Sequence, residues 1–157
     1  MGSGDVERIT RLYNGYVTGG VETFETEPLT TEQMAGRIAA AEAAGWPCLV
    51  AYDGDRLAGF CYAHRWKERA AYRHTLETTI YLDPAARRRG TGTALMRALT
   101  AECRRLGCKA LIACITADNE ASIAFHAKLG FVKVSHFVSV GRKFGRWLDV
   151  VDMELCL

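Results

Sequence analysis

Two adjacent stretches carry residues able to do chemistry. In LETTIYL, residues 76–82, a strand pattern puts Glu77, Thr79 and Tyr81 on one face and Leu76, Thr78, Ile80 and Leu82 on the other. A carboxylate on such a face can accept a proton, and the same position equally suits a glutamate that only meets solvent. After Asp83 and Pro84 come Arg87, Arg88, Arg89, Gly90, Thr91, Gly92 and Thr93, then Leu95, Leu99, Cys103 and Leu106 at spacings of four, four and three. That period predicts an amphipathic helix opening at the glycines. A glycine-flanked turn at a helix start leaves backbone N–H groups unpaired at the positive end of the helix dipole, where a phosphate or pyrophosphate is well held. Arg87-x-x-Gly90-x-Gly92 lacks the Lys and Ser or Thr of a Walker loop and the third glycine of the dinucleotide fingerprint. Three arginines in a row also suit a solvated face.

Other elements must position these residues. Asp5 to Tyr16 reads as a first helix capped by Asp5, with Val6, Ile9, Tyr13 and Tyr16 in helical period. Thr30 to Gln33 is a capping-box pattern that starts a second helix running to about Ala44. Pro47 to Tyr52 and Arg56 to Ala63 read as a hairpin around Asp53-Gly54-Asp55. The loop RWKERAAYRH delivers Lys67, Arg69 and Tyr72 just ahead of Glu77. Ala110 to Ile115 reads as a buried strand, Asn119 as the start of a further helix that ends near Gly130, and Val132 to Val140 and Trp147 to Leu155 as the last two strands. Phe24 is an aromatic without periodic partners, either a plug beneath its loop or a ligand contact.

A chain of 157 residues, 49% of them apolar, suggests one domain with a sizeable core. A formal net charge of +2 calls for neither nucleic acid nor an anionic membrane as partner. No apolar run reaches the length of a membrane span and no signal-peptide pattern opens the chain, so a cytoplasmic protein is expected. Cys48, Cys61, Cys103, Cys108, Cys114 and Cys156 show no paired short spacing and read as reduced core residues ahead of zinc ligands or a thiol nucleophile.

The arginine-glycine turn resembles the acetyl-CoA pyrophosphate signature of the GNAT superfamily of N-acetyltransferases. More closely, the chain is similar to the phosphinothricin (bialaphos-resistance) acetyltransferase subfamily in FETEP at Phe24 to Pro28, YAHRWKERAAYRHTLETTIYL at Tyr62 to Leu82, NEASIAFHAKLGF at Asn119 to Phe131 and GRKFGRWLDVVDM at Gly141 to Met153. The resemblance implies one α/β GNAT domain over residues 1–157, with a mixed, mostly antiparallel sheet, about four helices, and a splayed central strand pair that admits the CoA arm. It implies acetyl-CoA as cosubstrate, without a metal, held around Leu82, Arg87, Arg88, Arg89, Gly90, Thr91, Gly92, Thr93 and Asn119. Glu77 would be the base that deprotonates the amine, and His126 the group that stabilises or protonates the leaving thiolate. Phe24, Lys67, Arg69, Tyr72, Thr79 and Tyr81 would meet an amino-acid substrate with a second oxyanion, such as phosphinothricin, methionine sulfoximine or an arsenic analogue. Arg69 would clamp that oxyanion by paired hydrogen bonds. A homodimer is also implied. Rival readings are an acetyltransferase of another small amine or of a peptide N-terminus, and an acyl-CoA-binding module without turnover. The chain departs from the subfamily in opening directly on a helix where a first strand usually stands. From the wider superfamily it departs at His126, where tyrosine is common and the subfamily too has histidine.

Overall fold

The computed structural model describes residues 3–157. Helix α1 (Ser3–Gly19) and helix α2 (Thr31–Ala43) precede strands β1 (Cys48–Asp53), β2 (Arg56–Arg65) and β3 (Thr75–Leu82). Helix α3 (Thr91–Arg105), β4 (Ala110–Thr116), helix α4 (Glu120–Lys128), β5 (Val132–Lys133), β6 (Phe137–Lys143) and β7 (Arg146–Cys156) follow. The strands form one mixed sheet in the order β1-β2-β3-β4-β7-β5, with β6 also on β7. Every pairing is antiparallel except β3 with β4. Among the described residues, α1 is the first element.

The α2 start is the capping box read from the sequence: the Thr30 side chain accepts from Gln33 N, and the Gln33 side chain accepts from Thr30 N. Two expectations shift. Asp5 lies inside the first turn of α1 and does not cap it, although a carboxylate there still suits the helix dipole. The strand expected over residues 132–140 is two strands, and between them the N–H groups of Val134 and Ser135 both donate to the Asp152 carbonyl of β7. A register shift between Phe137 and Gly141, with Ser139 at φ 55°, then re-aims the chain.

Two apolar layers hold the sheet. On one face, Cys61, Leu76, Met96, Leu99, Leu111, Val151 and Met153 pack beneath α3 and α4. On the other, Ile9, Val17, Met34, Ile38 and Phe60 pack beneath α1 and α2. The alternation in β3 serves both, since Leu76 and Leu82 belong to the first layer and Tyr81 to the second. Leu99 is fully buried on the helix that follows the glycine turn. Leu99→Ala should therefore cost about 2 to 5 kcal/mol in urea-induced unfolding, from lost burial plus the cavity left behind.

Candidate active site

The site begins where two neighbouring strands separate. Strands β3 and β4 pair only at Thr75 with Ala110, Leu76 with Leu111 and Glu77 with Ile112. Beyond that point β3 stays with β2 as far as Leu82 and β4 stays with β7 as far as Thr116, so the two diverge. Thr78 Oγ1 donates to the Ile112 carbonyl at 3.3 Å and closes the base of the fork. Glu77 stands at its apex. A cavity of about 1100 Å³ fills the opening and is lined by β3 from Glu77 to Leu82, β4 from Ala113 to Thr116, the glycine turn, α4 and the loop after α1.

On β2, the side chains opposite the polar face of β3 complete a polar row. The antiparallel register sets His64 across from Glu77, Tyr62 across from Thr79 and Phe60 across from Tyr81. His64 Nε2 lies 3.8 Å from Glu77 Oε1 and 3.3 Å from Thr79 Oγ1. Its Nδ1 bonds the Arg65 carbonyl at 3.2 Å, which puts a hydrogen on Nδ1 and leaves Nε2 facing the carboxylate. Burial lifts the Glu77 carboxyl above its ordinary value, with His64 opposing the rise and Asp152 adding to it. Burial likewise pushes up the Cys114 thiol, to about 12, reinforced by Glu77 and Asp152. Tyr81 sits among Tyr13, Tyr16 and Phe60 at ring distances of 5.0, 4.9 and 5.7 Å, and burial pushes its phenol up as well.

At the other end, Gly90 caps α3 in the left-handed region, at φ 83°, with no side-chain cap. The first helical bond runs from Ala94 N to the Gly90 carbonyl, so the N–H groups of Thr91, Gly92 and Thr93 lie ahead of the ladder. Arg88 also adopts a left-handed backbone, at φ 60°, a strained conformation for an arginine that concentrates turned N–H groups at this loop. Arg87 Nη2 donates to Tyr16 Oη at 2.9 Å, and that hydroxyl donates to the Leu82 carbonyl. Leu82, Arg87, Arg88, Gly90, Gly92, Thr93 and Asn119 line the cavity. Asn119 also caps α4 by accepting from Ser122 N. Arg89 and Thr91 side chains do not line it, and Arg89 instead pairs with Asp53 at 2.8 Å. Gly92 is buried, and a Cβ there would meet Leu82 Cδ1 at 3.0 Å and the Phe125 ring at 3.4 Å. Its missing side chain therefore serves the packing of α3 as well as the approach of a ligand.

Three expected residues are not brought in. Lys67 lies over the Trp66 and Tyr72 rings at 4.1 and 5.3 Å, Arg69 is exposed, and neither they nor Tyr72 line the cavity. The loop that carries them passes through a short 3-10 turn at Ala70–Tyr72 before β3 begins. His126 lines the cavity but is buried between the Phe125 and Phe131 rings. Its Nδ1 donates to the Ser122 carbonyl at 2.8 Å, and burial lowers its proton affinity. Phe24 both lines the cavity and crosses β6, its ring standing where a Cβ of Gly141 would be.

A splayed parallel pair, a glycine turn opening a helix and a carboxylate at the fork match one family profile. The Acetyltransferase (GNAT) family profile covers residues 7–131. The chain belongs to the GNAT family. It is 40% identical to the phosphinothricin N-acetyltransferase of Alcaligenes faecalis over 151 residues, 96% of this chain and 77% of that protein. It is 33% identical to the L-methionine sulfoximine/L-methionine sulfone acetyltransferase of Salmonella typhimurium, over 98% of this chain and 90% of that one. A GNAT phosphinothricin acetyltransferase from Sinorhizobium meliloti, solved with AcCoA, superposes with a TM-score of 0.96 at 37% identity, over 100% of this chain and 85% of that one.

Within this GNAT chain, His64, Arg37, Tyr16 and Tyr62 are cavity residues that the sequence reading passed over. His64 and Tyr62 were available in principle, since Phe60, Tyr62 and His64 alternate along a strand facing Glu77's own. Arg37 and Tyr16 reach the cavity from helices, across distances no local pattern encodes.

Because the folded protein holds the Glu77 proton more tightly than the unfolded chain does, ionising it costs stability as pH rises through the folded value. Glu77→Gln should melt higher than wild type at neutral pH, with the difference vanishing at low pH where Glu77 is protonated anyway. His64→Ala should move the Glu77 titration, followed by carbon NMR, further upward.

Proposed function

We propose that this chain transfers the acetyl group of acetyl-CoA to the amino group of a small amino-acid-like substrate of the phosphinothricin and methionine sulfoximine class. The observation that carries the reading is Glu77 at the apex of the fork, with its proton affinity raised, between the glycine turn and the tyrosine-lined end of one cavity. The turn fits the cosubstrate's pyrophosphate: N–H groups of Thr91, Gly92 and Thr93 at a positive helix end, flanked by Arg87 and Arg88. The diverging edges of β3 and β4 supply backbone partners for an amide-bearing arm. Acetyl-CoA brings an activated thioester.

The protein's part is to make and aim the nucleophile. An ammonium has no lone pair, and Glu77, lifted by burial toward neutral pH, is a better proton acceptor than an exposed carboxylate. His64 Nε2 beside it offers the proton a way out toward solvent. A thiol held up to about 12 is not a thiolate, so Cys114 is not an acetyl carrier and the amine attacks directly. His126 gives its Nδ1 hydrogen to the Ser122 carbonyl within α4, and the departing thiolate takes its proton from solvent.

The same proposal extends to assembly and place. Val138 of β6, Phe144 of the turn that follows it and Trp147 of β7 expose 71, 61 and 64% of their surface, an apolar face suited to a second copy of the chain. All six cysteines are free, which suits the reducing cytoplasm. No helix among the described residues is long and apolar enough to cross a membrane.

Glu77→Gln should lower turnover by about two to four orders of magnitude while acetyl-CoA binding, by calorimetry, is kept. Cys114→Ala should keep its rate, and initial-rate plots should intersect. Parallel lines would mean a covalent acetyl-enzyme and overturn direct transfer. Trp147→Glu should convert a dimer to a monomer in light scattering, and a wild-type monomer at micromolar concentration would remove the dimer.

A further inference from the structure

Resting on the amino-acid reading above, we infer that Arg37 of α2 is the specificity-determining cation that holds the substrate's carboxylate. Its guanidinium exchanges Glu25 for that carboxylate when substrate enters.

The argument starts from the charges in the cavity. Arg87 and Arg88 flank the glycine turn, and Lys128 lies in the last turn of α4. Arg37 is the fixed cation on the α1 and α2 side, where its guanidinium carbon lies 5.9 Å from the centre of the Tyr13 ring. Its helix turns it inward, since Met34, Ile38 and Ala41 on the same stripe are buried. It pairs with Glu25 of the α1–α2 loop, and the two side chains keep 36% and 35% of their surface exposed. A pair so wetted is not locked in place, and another carboxylate can compete for the guanidinium.

The second observation is proximity to the reacting end. Arg37, Tyr62, Thr79 and Glu77 line one cavity, and the Tyr13 ring beside the Arg37 guanidinium packs edge-on against Tyr81 on the polar face of β3. Tyr62 is across from Thr79, two residues from Glu77 along the same face of β3. Such diagonal neighbours stand about 7 to 8 Å apart across paired strands. An α-amino acid carries its carboxylate two bonds from its amine. With the amine at Glu77, the carboxylate falls beside Thr79 and Tyr62, within reach of the long Arg37 side chain and open to paired hydrogen bonds. Arg69, the other cation expected to clamp substrate, is outside the cavity.

The test compares L-methionine sulfoximine with its carboxamide, which keeps the amine and removes the negative charge. Acetyl transfer by wild type, Arg37→Ala, Arg37→Lys and Glu25→Gln is followed by thiol release, with acetyl-CoA affinity measured in parallel to show that each variant is folded. Wild type should prefer the acid by about tenfold or more in kcat/KM. Arg37→Ala should lose that preference through a higher KM for the acid, with the KM for acetyl-CoA unmoved. Arg37→Lys should recover part of it, and Glu25→Gln should keep it. The inference is overturned if Arg37→Ala keeps the acid preference, if wild type has none, or if Glu25→Gln loses as much as Arg37→Ala, which would make the pair a brace for the loop. Failure of wild type to acetylate either compound or any free amino acid in a panel would overturn the amino-acid reading itself.

Discussion

The backbone pairing that β3 and β4 give up after Glu77 and Ile112 is the constraint on which the rest of the molecule depends. Backbone N–H and C=O groups in a sheet interior are paired almost without exception, and leaving one buried and unmatched costs about 1 to 3 kcal/mol. A central pair can part only if each strand is held firmly from its outer side. Here β2 holds β3 to its last residue and β7 holds β4 to its last residue. The long β7 runs down the whole length of β4 and carries both β5 and β6 on its far edge. The fork is thus a product of the antiparallel wings.

Electrostatics inside the fork follow from burial more than from charge pairs. Desolvation is the leading cause for Glu77, Cys114, Tyr81 and His126 alike, and in each it favours the neutral form. For a thiol or phenol this removes reactivity. For a carboxylate it raises the affinity for a proton, and His64, placed by register, opposes that rise. One desolvated environment therefore favours the neutral forms of the Cys114 thiol, the His126 ring and the Glu77 carboxyl alike.

What the sequence made legible was local. The capping box at Thr30 and Gln33, the Asn119 cap, the alternation through Glu77, Thr79 and Tyr81, and the glycine start of α3 are patterns within a few residues, where backbone chemistry decides. What escaped depends on partners far along the chain. The two hydrogen bonds that the Asp152 carbonyl accepts between β5 and β6, the packing of Gly92 against Leu82 and Phe125, and the place of Arg69 outside the cavity are of this kind. Resemblance supplied Arg69 as a clamp because it transfers residue types. It could not supply where the loop goes in this chain.

Helix α1 explains why the two ends of the cavity keep their relation. Tyr13 and Tyr16 are three residues apart, hence one turn apart on the same face. Tyr13 Oη shares a hydrogen bond of 2.7 Å with Thr23 of the loop that carries Phe24 and Glu25. Tyr16 Oη ties the Leu82 carbonyl at the end of β3 to Arg87 at the glycine turn. Both rings flank Tyr81. The loop is further pinned by Lys143, which donates to the Thr23 carbonyl from a buried position, and by Thr116 of β4, which donates to the Val21 carbonyl. One helical turn of α1 therefore contacts both the glycine turn, through Arg87, and the loop of Phe24 and Glu25, through Thr23. The glycine turn and the Glu77 end of the cavity are thus held to a common frame, the kind of fixed geometry that a reaction between two bound partners needs.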